Sequence, residues 1–302
     1  MERMKVILNP KAGRWYGDRV EPELREYLKA EGLDFDLVRT KAPKHATQLA
    51  QEALADGFKI VVAAGGDGTA HEVVNGVMAA AERGVKGTLG VIPVGTGSDF
   101  AHGVGMPGEL RAACKHLANA KPRLVDVVRF SVDGGVPEYF DNTVGVGFDG
   151  VVTLEALKFK RLRGMALYLP VVLKTVFVSL KPPRATIEYD GKTLTMPALM
   201  IVAANGPREG GGFYIAPEAK IDDGIFDLCM VHEVSRMAML GLIPHFMKGT
   251  HVNRPPVTMA RAKRVVITSQ DAMVAHADGE MICTEGHRIE CEIVPLALQV
   301  LS

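Results

Sequence analysis

Several things are scarce in this chain, and each scarcity excludes something. Tryptophan occurs once in 302 residues and aromatics make up 6%. Neither sign of charge is in excess: Lys plus Arg and Asp plus Glu stand at 35 each. That balance removes any global pull toward nucleic acid, so no nucleic-acid partner is expected. The four cysteines, Cys114, Cys229, Cys283 and Cys291, form no CxxC pair. A zinc or redox motif is therefore absent, and buried thiols in a reducing cytosol are expected. No long apolar run exists. The longest region, Met165 to Leu180, is interrupted by Pro170 and Lys174 and is too short for a membrane-spanning helix. The start, MERMKVILNP, is too short and too quickly broken for a signal peptide. A cytoplasmic protein, membrane-associated peripherally at most, is expected. GxSxG is missing, as is GxxxxGK[ST], so neither a nucleophile elbow nor the common P-loop is present.

What is present is an ordinary globular composition, 47% hydrophobic and 23% charged, long enough for two domains. The first half alternates. Met4 to Leu8 reads as a strand, Val20 to Leu28 as a helical stripe closed by Gly32, and Phe35 to Thr40 as a second strand. His45 to Ala55 reads as a helix closed by Gly57. The stretch Ile60 to Gly76, IVVAAGGDGTAHEVVNG, is strand, glycine turn and helix, and Thr88 to Pro93 is a further strand. Such β-α alternation predicts an α/β N-terminal domain with a mostly parallel sheet. Ligands in such sheets collect at the strands' C-terminal ends. Asn9 to Gly13, Thr40, Gly65 to Thr69 and Gly95 to Asp99 all fall at such ends.

Within the central stretch, Thr69 and Glu72 have the spacing of a capping box. Bare helix-start amides favour anions, so a phosphate fits there. Asp67 would repel it unless a cation such as Mg²⁺ lies between them. The alternative is an ordinary turn with a solvated Asp.

From about Leu124 short strands follow one another, separated by Gly, Pro and Asp turns, which predicts a C-terminal antiparallel β-sandwich domain. The expected division is 1–127, joined by about 296–302, against 128–295. Asp190-Gly191 is a hairpin signal. Gly145 to Gly150 spells GxGxxG, yet no acidic residue stands about 20 positions on, so dinucleotide binding is rejected there and turn glycines are expected. Asp222-Asp223-Gly224 is either an exposed turn or a Mg²⁺ site. His276-Ala277-Asp278-Gly279-Glu280 is either a hairpin turn with solvated acids or the seat of a general base. Lys158, Lys160, Arg161 and Arg163 precede an apolar stretch that fits helices better than strands. That pairing also suits contact with an anionic membrane surface, each basic residue contributing about 1 kcal/mol.

The GGDGT of Gly65 to Thr69 resembles the signature shared by diacylglycerol kinases, sphingosine kinases, NAD kinases and phosphofructokinases. Pro93 to Ala101 resembles the PxGTxNDFA element of the diacylglycerol-kinase catalytic family, with Ser98 where Asn is usual. Asn205 to Asp227 and the DGE at Asp278 to Glu280 resemble two further elements of that family, so the match spans Asn9 to Glu280. The resemblance implies an ATP- and Mg²⁺-dependent lipid kinase that works in a cleft between the two domains on a lipid substrate. By it, Asn9, Pro10, Lys11, Ala12, Gly13, Thr40, Gly65, Gly66, Asp67, Gly68, Thr69, Ala70, His71 and Thr96 hold nucleotide. A structural or regulatory metal takes the carboxylate of Asp223 and the main-chain carbonyls of Lys220 and Ile225. Glu280 accepts the substrate proton, with Asp278 beside it near metal and phosphates. Sphingosine kinases share the HEVVNG of His71 to Gly76 and use the aspartate matching Asp67, so Asp67 and Glu280 compete as base. Two rivals stay open: an NAD kinase, and a non-catalytic nucleotide- or lipid-binding regulator. The lipid and the oligomeric state, homodimer included, are left open as well.

Overall fold

Three apolar runs fix the centre of the first unit. They become β1 (Met4–Leu8), β3 (Ile60–Gly65) and β4 (Thr88–Pro93), the last two buried along their whole length. Strands buried on both faces are read as continuous apolar runs, because helices cover each side. The chain meets them in the order β1, α1 (Ala12–Ala30), β2 (Phe35–Arg39), α2 (His45–Ala55), β3, α3 (Asp67–Glu82), β4, α4 (Asp99–Gly103) and α5 (Leu110–Asn119). Pairing is parallel at each step: β2 with β1, β1 with β3, and β3 with β4, with Ile60 opposite Thr88. This computed structural model describes residues 2–95, 98–159, 165–177 and 182–302.

The chain divides into two units, 1–125 with 296–302, and 126–295. It passes between them within β5 (Pro122–Val132) and again near its end. The second unit continues with β6 (Glu138–Phe140), β7 (Thr143–Gly147), α6 (Phe148–Ala156), α7 (Met165–Phe177), β8 (Arg184–Tyr189) and β9 (Lys192–Ala204). After these come β10 (Phe226–His232), α8 (Arg236–Lys248), β11 (Val257–Ala262), β12 (Arg264–Ala277) and β13 (Glu280–Leu301). The order β11-β10-β9-β7-β12 is antiparallel throughout, and β8 and β9 form the Asp190-Gly191 hairpin, both turn residues having positive φ. The last residues of β13 lie parallel to β4 through Gln299 and Val300.

Period-two alternation sorts the second unit's side chains. On β9 and β10, Ile201, Ala203, Leu228 and Met230 enter one core, with Phe140, Val144, Ile187 and Ile267. Their neighbours Met200, Val202, Cys229 and Val231 enter another, which α6, α7 and α8 cover through Val152, Val171, Val176, Met239, Leu242 and Phe246. Each Val, Leu, Ile, Phe or Met among them, fully buried, contributes about 1.5–3 kcal/mol against exposure. Among the described residues no helix is long and apolar enough to cross a membrane.

Two local expectations fail for a clear reason. Thr69 does not cap α3; the helix starts two residues earlier, at Asp67, with Gly66 as its uncapped N-cap. Glu72 turns its carboxylate away to accept the amides of Lys44 and Ala46, at 2.8 and 2.9 Å. It thus caps α2, whose own N-cap position, Lys44, is left-handed and offers no side-chain cap. Tertiary proximity of two helix starts overrides the local box. Of the GxGxxG glycines only Gly147 serves a turn, at φ of 86° between β7 and α6; Gly145 sits inside β7 and Gly150 inside α6.

Candidate active site

The first unit builds its site from backbone. A Cβ on Gly95 would lie 2.3 Å from the Gly66 Cα, and one on Gly65 would meet the Thr69 side chain at 2.3–2.8 Å. The loops after β3 and β4 therefore touch main chain to main chain, which only glycine permits. Val94 and Gly95 both donate to the Gly65 carbonyl, at 2.8 and 2.9 Å. Asn9 bridges to this pair: its amide donates to the Ala64 carbonyl at 3.0 Å and its Nδ2 to Thr69 Oγ1 at 3.0 Å. Its Oδ1 accepts the Lys11 amide, which shapes the turn through Pro10 and Ala12. Gly13, Arg14 and Trp15 then run left-handed, with φ of 55°, 56° and 69°. A Cβ on Gly13 would meet the Val94 carbonyl at 2.8 Å. Trp15 is exposed, with Lys11 Nζ 5.9 Å from its ring centre.

Asn9, Gly13, Gly65, Gly66, Thr69 and Gly95 are thereby brought together. Thr40 follows β2, its amide on the Leu8 carbonyl at 2.9 Å. Asp67 opens α3, and its Oδ1 accepts the Phe100 amide at 3.2 Å. Gly68, Ala70 and His71 lie in the same first turns, Ala70 and His71 buried. Thr96 lies outside the described residues. The glycine cradle, in which a Cβ on Gly13, Gly65 or Gly95 would collide, and the uncapped start of α3 fit a phosphate chain.

The second unit builds its site from side chains. α6, α7, α8 and the loop before β10 enclose a cavity of about 730 Å³, open mouth included. Phe148, Val172, Met200, Phe213, Leu242 and Phe246 are among its walls, and Asp149 and Glu209 are the charged side chains of its described lining. Both carboxylates face one imidazole: His276 Nε2 is 3.0 Å from Asp149 Oδ2 and 2.9 Å from Glu209 Oε1. His276 is fully buried. Burial pulls its pKa down, but Glu209 and Asp149 together raise it well above the ordinary 6.5. The Gly279 amide, 3.3 Å from Nδ1, favours a neutral ring. Two full charges at shorter range favour imidazolium and win. In either state Nε2 carries a proton. The three ligand atoms lie within 4.8 Å of one another, the spacing at which the set can hold a metal ion in place of the Nε2 proton; without an ion it is a hydrogen-bonded cluster. Gly145 makes room for it: a Cβ there would lie 2.0 Å from Asp149 Oδ2 and 2.5 Å from His276 Nε2.

The DGE turn follows at once. Glu280 is exposed at the head of β13. Asp278, expected beside metal and phosphates, holds main chain. It is buried with φ of 48°, and its carboxylate accepts the amides of Asp141, Asn142 and Thr143 at 3.1, 3.0 and 2.9 Å. It anchors the turn. Buried Asn205 extends the lacing, its Nδ2 on the carbonyls of Asp126 and Asp141.

The turn Lys220 to Ile225 carries Asp223 on the Arg261 guanidinium, with the Ile225 amide on Asp223 Oδ1 at 3.3 Å. Gly224 donates to buried Asp126. Burial pushes the Asp227 carboxyl up to about 6, against the opposing charge of Arg261. Its Oδ2 is buried without a hydrogen bond, 3.8 Å from Arg261 Nε. An orphaned carboxylate oxygen beside Asp223 fits a divalent cation at this turn.

Sequence reasoning missed Asp149, Glu209 and His276. Asp149 stands at a helix start, His276 in an apolar strand and Glu209 in a glycine-rich loop, and no spacing rule connects them across 127 positions.

Family models match both halves. That of the diacylglycerol kinase catalytic domain covers residues 3–130, and that of the YegS C-terminal NAD kinase beta sandwich-like domain covers 142–302. A diacylglycerol kinase of Bacillus subtilis (strain 168) is 31% identical over 282 residues, 93% of this chain and 90% of that protein. The chain belongs to the diacylglycerol kinase catalytic-domain family. A diacylglycerol kinase of Staphylococcus epidermidis is similar to the same degree, 31% over 281 residues, covering 92% of this chain and 86% of that one. The crystal structure of a diacylglycerol kinase from Bacillus anthracis superposes with a TM-score of 0.73 at 23% identity, over 99% of this chain and 96% of that one, a likeness of fold. A second structure from that organism reaches 0.80 at 25% identity, with the same coverage. Membership makes the chain one of a kinase family, with two domains and a β-rich antiparallel C-terminal one.

Proposed function

We propose that this protein transfers the γ-phosphate of ATP to the hydroxyl of a lipid, with Mg²⁺. The observation that carries the lipid acceptor is the apolar cavity, whose lining carboxylates Asp149 and Glu209 meet His276, the residue that leads into the DGE turn. The glycine cradle from Asn9, Lys11 and Gly13 through Gly65 to His71, with Thr40 and Thr96, holds the nucleotide. Asp67 holds the Mg²⁺ that neutralises the phosphates; that ion supplies charge compensation. Glu280, exposed and ahead of an anchored aspartate, accepts the proton as the hydroxyl oxygen bonds to phosphorus and the ADP oxygen leaves. Phosphoryl transfer needs little more from protein than such positioning and charge neutralisation. A second divalent ion at Asp223, with the carbonyls of Lys220 and Ile225, would displace Arg261 and relieve Asp227. Peripheral docking on anionic membrane is part of the reading. Of its basic cluster, Lys158 is paired with Glu155, while Lys160, Arg161 and Arg163 lie outside the described residues.

The test is labelled ATP offered with a total lipid extract and, separately, with NAD. Label in a chloroform-soluble product supports the lipid acceptor. Label in NADP makes the protein an NAD kinase, and label in neither leaves a nucleotide-binding regulator.

A further inference from the structure

Asp149, Glu209 and His276 reach one point from the first turn of α6, the loop between β9 and β10, and the end of β12. A single nitrogen stands where they meet. His276 Nε2 is 3.0 Å from Asp149 Oδ2 and 2.9 Å from Glu209 Oε1. One N–H bond has one direction, so it serves one oxygen at the expense of the other, and a hydrogen bond weakens steeply as its angle closes. A cation on the nitrogen lone pair has no such limit. Ligands held at about 2.0–2.2 Å in right-angled to tetrahedral geometry lie about 2.9–3.5 Å from one another. Both nitrogen–oxygen spacings fall in that range, and all three ligand atoms lie within 4.8 Å of one another.

Room and access are present as well. A Cβ on Gly145 would lie 2.0 Å from Asp149 Oδ2 and 2.5 Å from His276 Nε2, so the missing side chain clears the space between the ligands. His276 is fully buried, whereas Asp149 and Glu209 are half-buried and line the cavity, which gives an ion a way in. The donor set also selects. Imidazole with carboxylates suits Zn²⁺, Mn²⁺ or Fe²⁺, while Mg²⁺ and Ca²⁺ favour oxygen alone.

We propose that Asp149 Oδ2, Glu209 Oε1 and His276 Nε2 hold a divalent transition-metal ion of the Zn²⁺ class, which takes the place of the Nε2 proton and releases it to solvent. The site differs from the Mg²⁺ positions at Asp67 and Asp223 and does not depend on the kinase reading. Only the oxygens already facing Nε2 are used, so the other contacts of Glu209 stay as they are. A neutral ring that binds metal through Nε2 carries its proton on Nδ1. The Gly279 amide, 3.3 Å from Nδ1, then has to turn aside, and the ion's arrival is felt in the DGE turn.

The experiment strips the full chain with a chelator and titrates it with Co²⁺, a coloured stand-in for Zn²⁺, in mildly alkaline buffer without nucleotide. Co²⁺ should bind saturably with the visible absorption of a low-symmetry nitrogen–oxygen site, and Zn²⁺ should bleach it where excess Mg²⁺ does not. Asp149→Asn and Glu209→Gln should each weaken Co²⁺ binding at least about tenfold, about 1.4 kcal/mol. Asp223→Ala should leave the absorption unchanged. In an amide NMR spectrum Zn²⁺ should shift Gly279 over the same titration range. No saturable Co²⁺ absorption in the unaltered protein overturns the proposal and needs no variant. So does absorption that survives both ligand substitutions or is lost in Asp223→Ala, competition by Mg²⁺ as strong as by Zn²⁺, or a Gly279 amide that Zn²⁺ leaves in place. Metal binding without lipid phosphorylation would keep this site and remove the kinase reading; phosphorylation by a protein that binds no Co²⁺ here would do the reverse.

Discussion

The glycine cradle of the first unit and the acid-imidazole-acid cluster of the second are made in opposite ways. In the cradle, binding groups belong to main chain, and side chains are removed so that loops can close on each other, Gly66 against Gly95. In the cluster, the contacts are among the side chains of Asp149, Glu209 and His276, and glycine serves only to make room, at Gly145. A main-chain site is written in consecutive residues. A side-chain site is written wherever the fold happens to gather its members. The first should be brittle to added atoms and the second brittle to changed charge.

The largest effect expected is on the cradle's one acidic member. Asp67→Asn should abolish phosphoryl transfer while the circular dichroism and thermal midpoint stay near wild type; activity close to wild type would strip the loop of its role. Next is Glu280→Gln, which should lower kcat by roughly 10² with ATP affinity little changed. A collapse of ATP binding instead would move Glu280 into a nucleotide or metal shell, and an unchanged kcat would leave Asp67 as base.

The same substitution made twice puts the contrast to a direct test. Gly95→Ala drives a methyl into backbone that cannot swing aside, and should cost about 1–3 kcal/mol together with most ATP affinity. Gly145→Ala meets the ends of Asp149 and His276, which can rotate. It should cost less in denaturant unfolding while breaking the pairing of the two side chains. Equal costs at both positions would erase the distinction.

The smallest effect is on pH dependence. His276 has a raised pKa in the folded protein, so the folded state binds its proton more tightly than the unfolded state does. Its contribution is then complete below about 6.5, the unfolded value, and is lost as pH rises through the folded value. Unfolding free energy should decline above neutrality, and His276→Gln should flatten that decline. The groups facing the ring are Asp149 from α6, Glu209 from its loop and the Gly279 amide. An NMR titration showing His276 neutral at pH 6 would refute the assignment. Buried His251 moves the opposite way: burial lowers its pKa, so what it contributes is present above 6.5 and fades in acid.

The contrast also explains what could be read in advance. Met4–Leu8, Thr88–Pro93 and His45–Ala55 run as the periodicity indicated, because strands covered on both faces and a helix closed by glycine leave unambiguous patterns. The GGDGT loop is legible for the same reason: its glycines answer to local backbone geometry. α8 went unread, since Gly241 and Pro244 interrupt a pattern that only packing of Met239, Leu242 and Phe246 against the second core stabilises. β13 exceeds the short strands expected there, running 22 residues, its polar stretches paired where no apolar signal exists. Glu72 was assigned to its own helix and serves the neighbouring one. Glu72 and the cluster at His276 share one cause, side chains whose partners are distant in sequence, and the cluster is the extreme case.

Trp15 closes the comparison on a practical note. It is the only indole in the chain, and it stands exposed on the left-handed strap that leads out of the Asn9 turn. Excited at its red edge, the protein therefore emits from one place, the rim of the cradle, while the second unit stays dark. A nucleotide titration followed by intrinsic emission and a lipid titration followed by heat would report on the two halves of this molecule separately, with no dye attached to either.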